Sequence, residues 1–313
     1  MPTPATSSPQ RTPLDAVTGA FGYSGAAIAR HLQDAGRRVR TVTGHPHLAP
    51  AGTEIEVRPL DFEDPARLAD ALQGVDTLYN TYWVRFGRGG LDHATATARS
   101  RTLFRAAADA GVRRVVHLSI THPSADSPYP YFREKARTEQ ALAEVGLPHS
   151  ILRPAILFGG RGVLLNNIAW LLRRLPVFAI GGDGGYRIRG IHVDDLARLC
   201  IEEATRSENA TLDAVGPERP TFDELVRSIA DTVGSRARIL HVPARAIPPL
   251  SAGLGLLLRD KLLTADEYGA MADGLADTDG PATGTTALSE WLHGNGDSLG
   301  LRYANELARH YDQ

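Results

Sequence analysis

Residues 14–43 read as strand, glycine-rich turn, helix and strand, and no other stretch limits the possible folds as much. Leu14-Asp15-Ala16-Val17-Thr18 is a short strand pattern. It runs into Gly19-Ala20-Phe21-Gly22-Tyr23-Ser24-Gly25, then a helical pattern from Ala26 to Ala35 that stops at Gly36. Arg38 to Thr43 reads as a second strand. This is a βαβ unit, and such a unit opens a parallel sheet. Gly19 allows a tight turn, Gly22 lets a diphosphate approach the backbone, and Gly25 lets the helix pack closely on the strand. The helix N-terminus then offers unpaired N–H groups and the positive end of its dipole to phosphates.

The alternation continues for about two hundred residues. Thr53 to Arg58 reads as a strand, and Pro65 to Leu72 as a helix with Asp64 as N-cap and Pro65 at its first position. Val75 to Asn80 is a strand, and Ala94 to Ala110 a helix that Gly111 terminates. Val112 to Ser119 is an apolar run suited to a strand buried on both faces. A helix around Tyr131 ends near Gly146, and Pro148 to Phe158 is the next strand. After Gly159 the rhythm changes. Asn166 to Arg174 looks helical, 181–185 must be a loop, Arg187 to His192 is a strand and Val193 to Ala204 a helix. From Thr221 on, helices dominate, at 221–233, roughly 246–258 and further on.

This pattern predicts an α/β fold, a doubly wound parallel sheet with a smaller, mostly helical C-terminal substrate lobe. Residues 1–13, rich in Pro, Ser and Thr, read as a disordered tail without an apolar signal core. Residues 14–159 plus 188–216 would form the nucleotide-binding domain, and 160–187 plus 217–313 the lobe. The cleft between them is where open α/β sheets bind ligands.

A net charge of −2 gives no reason to expect nucleic acid or an acidic membrane as partner. The single cysteine, Cys200, excludes an internal disulfide framework and suits a reducing, cytoplasmic setting. The longest apolar stretch, Ile247 to Leu258, is too short to span a bilayer and reads as a buried or interface helix. His45-Pro46-His47 has no further ligands at metal-binding spacing, so no metal site is expected.

The chain holds only two lysines, Lys135 and Lys261, and uses arginine elsewhere. Lys135 stands four residues after Tyr131, so on a helix a phenol and an ammonium share one face. With 9 Tyr and 2 Lys in 313 positions, chance gives about 0.06 such pairs. Arg is bulkier and planar, whereas Lys is a compact ammonium able to lower a neighbour's pKa.

Assembled, these residues resemble the short-chain dehydrogenase/reductase superfamily in its extended and atypical branches, including epimerase-like, NmrA-like and complex I accessory-subunit-like members. Thr18 to Gly25 is similar to their T-G-x-x-G-x-x-G cofactor turn, Tyr131 to Lys135 to their Y-x-x-x-K, and His192 to Ala197 to an H-V-D-D-L-A segment. The likeness runs from about residue 14 to 210. It implies an NAD(P)-dependent oxidoreductase acting on a carbonyl or alcohol carbon of a small molecule, as a monomer or homodimer.

In that resemblance Tyr131 is the acid/base, and Lys135 lowers its pKa and holds the nicotinamide ribose. Ser119, or second Thr121, meets the substrate oxygen. Gly19, Phe21, Gly22, Tyr23, Ser24 and Gly25 would hold the diphosphate. Thr43 and His45 would lie by the adenosine ribose, Asp61 and Phe62 near the adenine, Asn80 and Thr81 beside the cofactor after the fourth strand, and Pro154 and Ala155 along the nicotinamide.

Two departures stand out. Thr43-Gly44-His45 offers neither an acid for ribose hydroxyls nor an arginine for a 2′-phosphate, leaving NAD and NADP both open; Arg40, His45 and His47 lean weakly towards the phosphate. The helix from Ala94 shows no Asn where these families place one, with Arg99 and Ser100 nearby. Tyr82-Trp83 would form an aromatic wall over the site or pack in the core, and Asp92-His93 and His122 lie in cleft loops. Two other readings are carried along: an epimerase or dehydratase that oxidises a sugar transiently, and a cofactor-binding sensor or assembly subunit without turnover.

Overall fold

The computed structural model describes residues 12–85, 87 and 91–305. The tail expected at 1–13 lies outside the described residues up to position 11. The strands are β1 (Leu14–Thr18), β2 (Arg38–Thr43), β3 (Glu56–Pro59), β4 (Val75–Asn80), β5 (Arg114–Leu118) and β6 (His149–Pro154). They continue with β7 (Ile156–Phe158), β8 (Val177–Gly181), β9 (Gly190–His192), β10 (Ala210–Ala214) and β11 (Arg238–Val242). The helices are α1 (Tyr23–Asp34), α2 (Pro65–Ala71), α3 (His93–Asp109), α4 (Pro130–Val145) and α5 (Val163–Arg174). After them come α6 (Val193–Ala204), α7 (Phe222–Thr232), α8 (Ile247–Leu258), α9 (Ala265–Ala272) and α10 (Leu288–Asn295).

The central sheet has seven parallel strands in the order β10-β6-β5-β4-β1-β2-β3. The chain winds outwards in one direction from β1 to β3, then in the other from β4 to β10. A crevice therefore opens between the C-terminal ends of β1 and β4. Both faces of the sheet are covered, which is why β1 and β5 are buried along their whole length. On one face Ile28 and Leu32 of α1 and Leu196 and Cys200 of α6 meet Val17, Val116 and Leu152. On the other, Leu68 of α2, Leu103 and Phe104 of α3 and Leu142 of α4 meet Ala16, Leu78 and Val115. A separate apolar cluster joins α5, α7 and α10 through Leu165, Leu172, Leu225, Ile229 and Leu292.

Several boundaries differ from the sequence reading. α1 starts at Tyr23 rather than Ala26, because Gly22 is extended (ψ −172°) and serves as the N-cap. The strand expected over 148–158 is two strands. Pro154 has no N–H to continue the ladder, and after it the chain leaves the sheet to pair β7 with β9. β3 is shorter than expected. Strands β8, β10 and β11 were not anticipated; β8 and β11 pair with each other, so the C-terminal part is not purely helical. No helix among the described residues is long and apolar enough to cross a membrane.

Candidate active site at the strand switch point

The turn after β1 is tied down by Thr18. Its hydroxyl donates to Asn80 Oδ1 at 3.2 Å and accepts from the Thr81 N–H at 2.7 Å. Thr81 Oγ1 donates to Thr18 O at 2.6 Å. Gly19 takes φ +65°, a region where L side chains are strained. A Cβ on Gly25 would stand 2.2 Å from Gly19 O, so α1 reaches the turn only with glycine there. No side chain caps α1, which leaves its first-turn N–H groups for an anion. Tyr23 Oη donates to Gly159 O at 2.7 Å and Arg161 donates to Phe21 O at 3.3 Å, closing the 159–162 loop against the turn.

At the end of β2, Thr43 is buried and its Oγ1 accepts from the His45 N–H at 3.0 Å. His45 and His47 are exposed, their rings edge to face at 5.7 Å. Arg40 is not available to a phosphate, contrary to the sequence reading. It is buried, donates to Ala71 O and Gln73 O at 2.9 Å each, and pairs with Glu56 at 3.0 Å. Asp61 accepts from the Glu63 N–H at 3.2 Å and faces Arg67 at 3.5 Å. The Phe62 ring lies 4.9 Å from Tyr82, with the Arg99 guanidinium over it at 5.2 Å.

Pro130 occupies the first turn of α4, so Tyr131 stands at the helix entrance and Lys135 one turn deeper. Lys135 is 2% exposed. Its Nζ donates to Leu118 O at 2.9 Å and lies 4.2 Å from the centre of the Trp83 ring. Burial pulls the ammonium down to about 7, with Glu139 opposing. The Tyr131 ring packs edge-on against Trp83 at 5.6 Å and His93 at 5.4 Å, and Trp83 stacks on His93 at 6.0 Å. Burial pushes the phenol up to about 12; Arg85 opposes this and Glu267 adds to it. The Trp83 ring touches both groups.

Ser119 follows β5 and is 5% exposed. Its N–H donates to Leu152 O at 2.8 Å, while its hydroxyl has no partner among the described residues. Thr121 differs, since its hydroxyl donates to Leu275 O at 2.8 Å. Asn80 is fully buried and committed to Thr18 and to His117 Nδ1 at 3.0 Å, so its side chain braces the strand ends. Pro154 O accepts from the Thr121 N–H at 3.2 Å, and Ala155 joins β6 to β7. Arg153 pairs with Glu139. Ser100 is buried on α3 with its hydroxyl unpartnered.

The sequence reading missed the pair beside the phenol. Arg85 Nε donates to Glu267 Oε1 at 3.1 Å across 182 positions. The only local signal was Thr264-x-x-Glu267, which forms a capping box at the start of α9. Among the described residues no group of three His, Cys, Asp or Glu is placed to hold a metal.

Residues 19–166 match a family of NAD(P)H-binding domains. The chain is 29% identical over 231 residues to the (4-alkanoyl-5-oxo-2,5-dihydrofuran-3-yl)methyl phosphate reductase of Streptomyces griseus, spanning 71% of this chain and 74% of that protein. It is 25% identical over 269 residues to the mitochondrial NADH-ubiquinone oxidoreductase 40 kDa subunit of Neurospora crassa, spanning 80% and 68%. An NADPH-dependent quinone oxidoreductase of Escherichia coli, solved with NADPH, shares the fold at 23% identity, with a TM-score of 0.73 over 89% of this chain and 98% of that one.

The parallel sheet, its switch point and the glycine cradle define an NAD(P)H-binding Rossmann protein. Within that class the chain is similar over most of its length to an NAD(P)-binding reductase and to a complex I subunit. The residues fit the cofactor: glycines where a Cβ would block the turn, and an α1 N-terminus without a side-chain cap. The residues after β2 do not select between NAD and NADP.

Proposed function

We propose that the protein is an NAD(P)H-dependent oxidoreductase acting on a carbonyl or alcohol carbon of a small molecule, with Tyr131 as the proton-transferring group. The observation that carries this reading is the buried, unpartnered Ser119 hydroxyl, next in the chain to the carbonyl that Lys135 holds. A lone buried hydroxyl costs free energy unless something completes its hydrogen bond. A substrate oxygen is the partner that gives this arrangement a purpose.

The cofactor, when bound, supplies or accepts the hydride. Gly19, Phe21, Gly22, Tyr23, Ser24 and Gly25 would hold its diphosphate, Thr43, His45, Asp61 and Phe62 its adenosine end, and Thr81, Pro154, Ala155 and Lys135 its nicotinamide end. Ser119 Oγ donates to the substrate oxygen as charge grows there. Tyr131 Oη delivers the proton. A phenol held near 12 stays protonated at neutral pH, which suits the reducing direction. In this reading the described part of the lobe, 160–187 and 217–305, covers the substrate side of the cleft.

A second reading is favoured by one observation: the Trp83 ring packs against both Tyr131 and Lys135. In that reading the protein binds the cofactor without turnover. The test is consumption of NADPH or NADH against aldehydes, ketones, quinones and unsaturated lactones, followed by the loss of reduced-nicotinamide absorbance. Turnover with any class supports the enzyme. Tight cofactor binding with none across the panel supports the second reading.

A further inference from the structure

Helix α8 has no charged residue between Ile247 and Leu258. Ile247 and Gly255 face inwards and are buried, and Ser251 Oγ donates to Leu263 O at 2.9 Å. At 100° per residue, Pro249, Leu250, Ala252, Gly253, Leu256 and Leu257 lie on the other side. All six are exposed, Leu256 at 84%, Leu257 at 79% and Leu250 at 53%. A helix on a water-facing surface carries polar groups there; this one carries none. Exposed Val177, Leu240 and Arg238 share one face of the neighbouring β8–β11 pair.

The segment that forms this face is mostly basic, although Asp266 of the adjoining α9 is also exposed. Residues 236–263 hold Arg236, Arg238, Arg245, Arg259 and Lys261 against a single carboxylate, Asp260, in a chain of net charge −2. Asp260 is buried and accepts from Tyr303 Oη at 2.5 Å. Arg236, Arg238, Arg245 and Arg259 are exposed and make no ion pair among the described residues. Beside α8 a groove of about 710 Å³ is lined by Ala252, Leu256, Leu262 and Leu263, with Arg259 and Lys261.

We propose that α8 and its arginine flanks dock the protein on an anionic membrane surface, the helix lying flat at headgroup depth. Twelve residues span about 18 Å, too short to cross the hydrocarbon but suited to lying in the interface. Exposed leucines enter the acyl boundary and the arginines meet lipid phosphates. A second copy of the chain would bring the same basic flanks together, which disfavours that occupant. This departs from the sequence expectation that no membrane is a partner, and it does not depend on the catalytic reading.

The test is co-flotation of the full chain with phosphatidylcholine–phosphatidylglycerol vesicles and with pure phosphatidylcholine vesicles. The wild type is expected to float with the anionic vesicles, more weakly at high salt, and to stay behind with the neutral ones. The double variant Leu256→Glu/Leu257→Glu should lose flotation, and Arg245→Ser/Arg259→Gly should weaken it, both retaining NADPH binding and circular dichroism. If the leucine variant does not fold, the arginine variant and the salt dependence decide. A wild type that ignores anionic vesicles, or binds neutral ones equally, overturns the proposal. So does a dimer that the leucine variant dissolves without any flotation, which would assign the face to a second copy.

Discussion

The Lys135 ammonium lies 4.2 Å from the centre of the Trp83 ring while its Nζ donates to Leu118 O at 2.9 Å. A buried ammonium held by one carbonyl and an aromatic face has donors left for another oxygen. A ligand hydroxyl that takes one of them from the Trp83 side must displace the indole. Cofactor binding should therefore change Trp83 emission. Titration with NADPH should quench the wild type more than Trp83→Phe, with Trp170 and Trp291 as the common background. Equal quenching in both proteins would show that Trp83 does not respond.

Burial of Lys135 makes the stability of the cofactor-free protein depend on pH. Its pKa falls from 10.5 to about 7 on folding. Between those values the unfolded chain binds more protons, so stability rises as pH increases from 7 and is lost as pH falls back through that window. The Tyr131 phenol, raised to about 12, acts only above its ordinary value of 10. The urea midpoint should increase from pH 7 to pH 9. Lys135→Met should flatten that rise, and an unchanged slope would place the lysine in contact with water.

Gly25 stands where a Cβ would meet Gly19 O at 2.2 Å. Gly25→Ala must push α1 off the turn. Overpacking of this kind costs about 1–3 kcal/mol, and the same shift spoils the diphosphate cradle. NADPH affinity should fall about tenfold or more, a change of at least ~1.4 kcal/mol, measured by isothermal titration beside a thermal melt.

Asp195 is buried in α6 and accepts from the Thr285 and Thr286 N–H groups at 2.9 and 2.7 Å, besides pairing with Arg198. It ties the segment before α10 to α6. Asp195→Ala should cost about 2 kcal/mol in denaturant unfolding, the scale of hydrogen bonds to a charged group. Cofactor affinity should change little, because none of these contacts reaches the glycine turn.

What the sequence made legible was local. The turn at Gly19–Gly25 is constrained by backbone sterics within a few residues, so its fold and place follow directly from the glycines. Tyr131 and Lys135 share a helix, and spacing alone puts them one turn apart. The Trp83 ring that contacts both comes from the loop after β4, and no spacing rule reports that. Arg85 and Glu267 meet across 182 positions, beyond any local pattern. β8 and β11 pair only with each other; β8 is apolar but five residues long, and β11 is interrupted by Arg238 and His241, so neither stands out as a strand of the main sheet. Arg40 looked free for a phosphate because its partner Glu56 lies on a different strand.

The most direct test is Tyr131→Phe beside the wild type, measuring cofactor affinity and turnover on one substrate found in the carbonyl panel. If Tyr131 transfers the proton, turnover should fall by about 10²–10⁴-fold while the NADPH dissociation constant stays within about twofold, since no bond of the cradle is touched. Turnover retained in the phenylalanine variant would contradict the assignment of Tyr131.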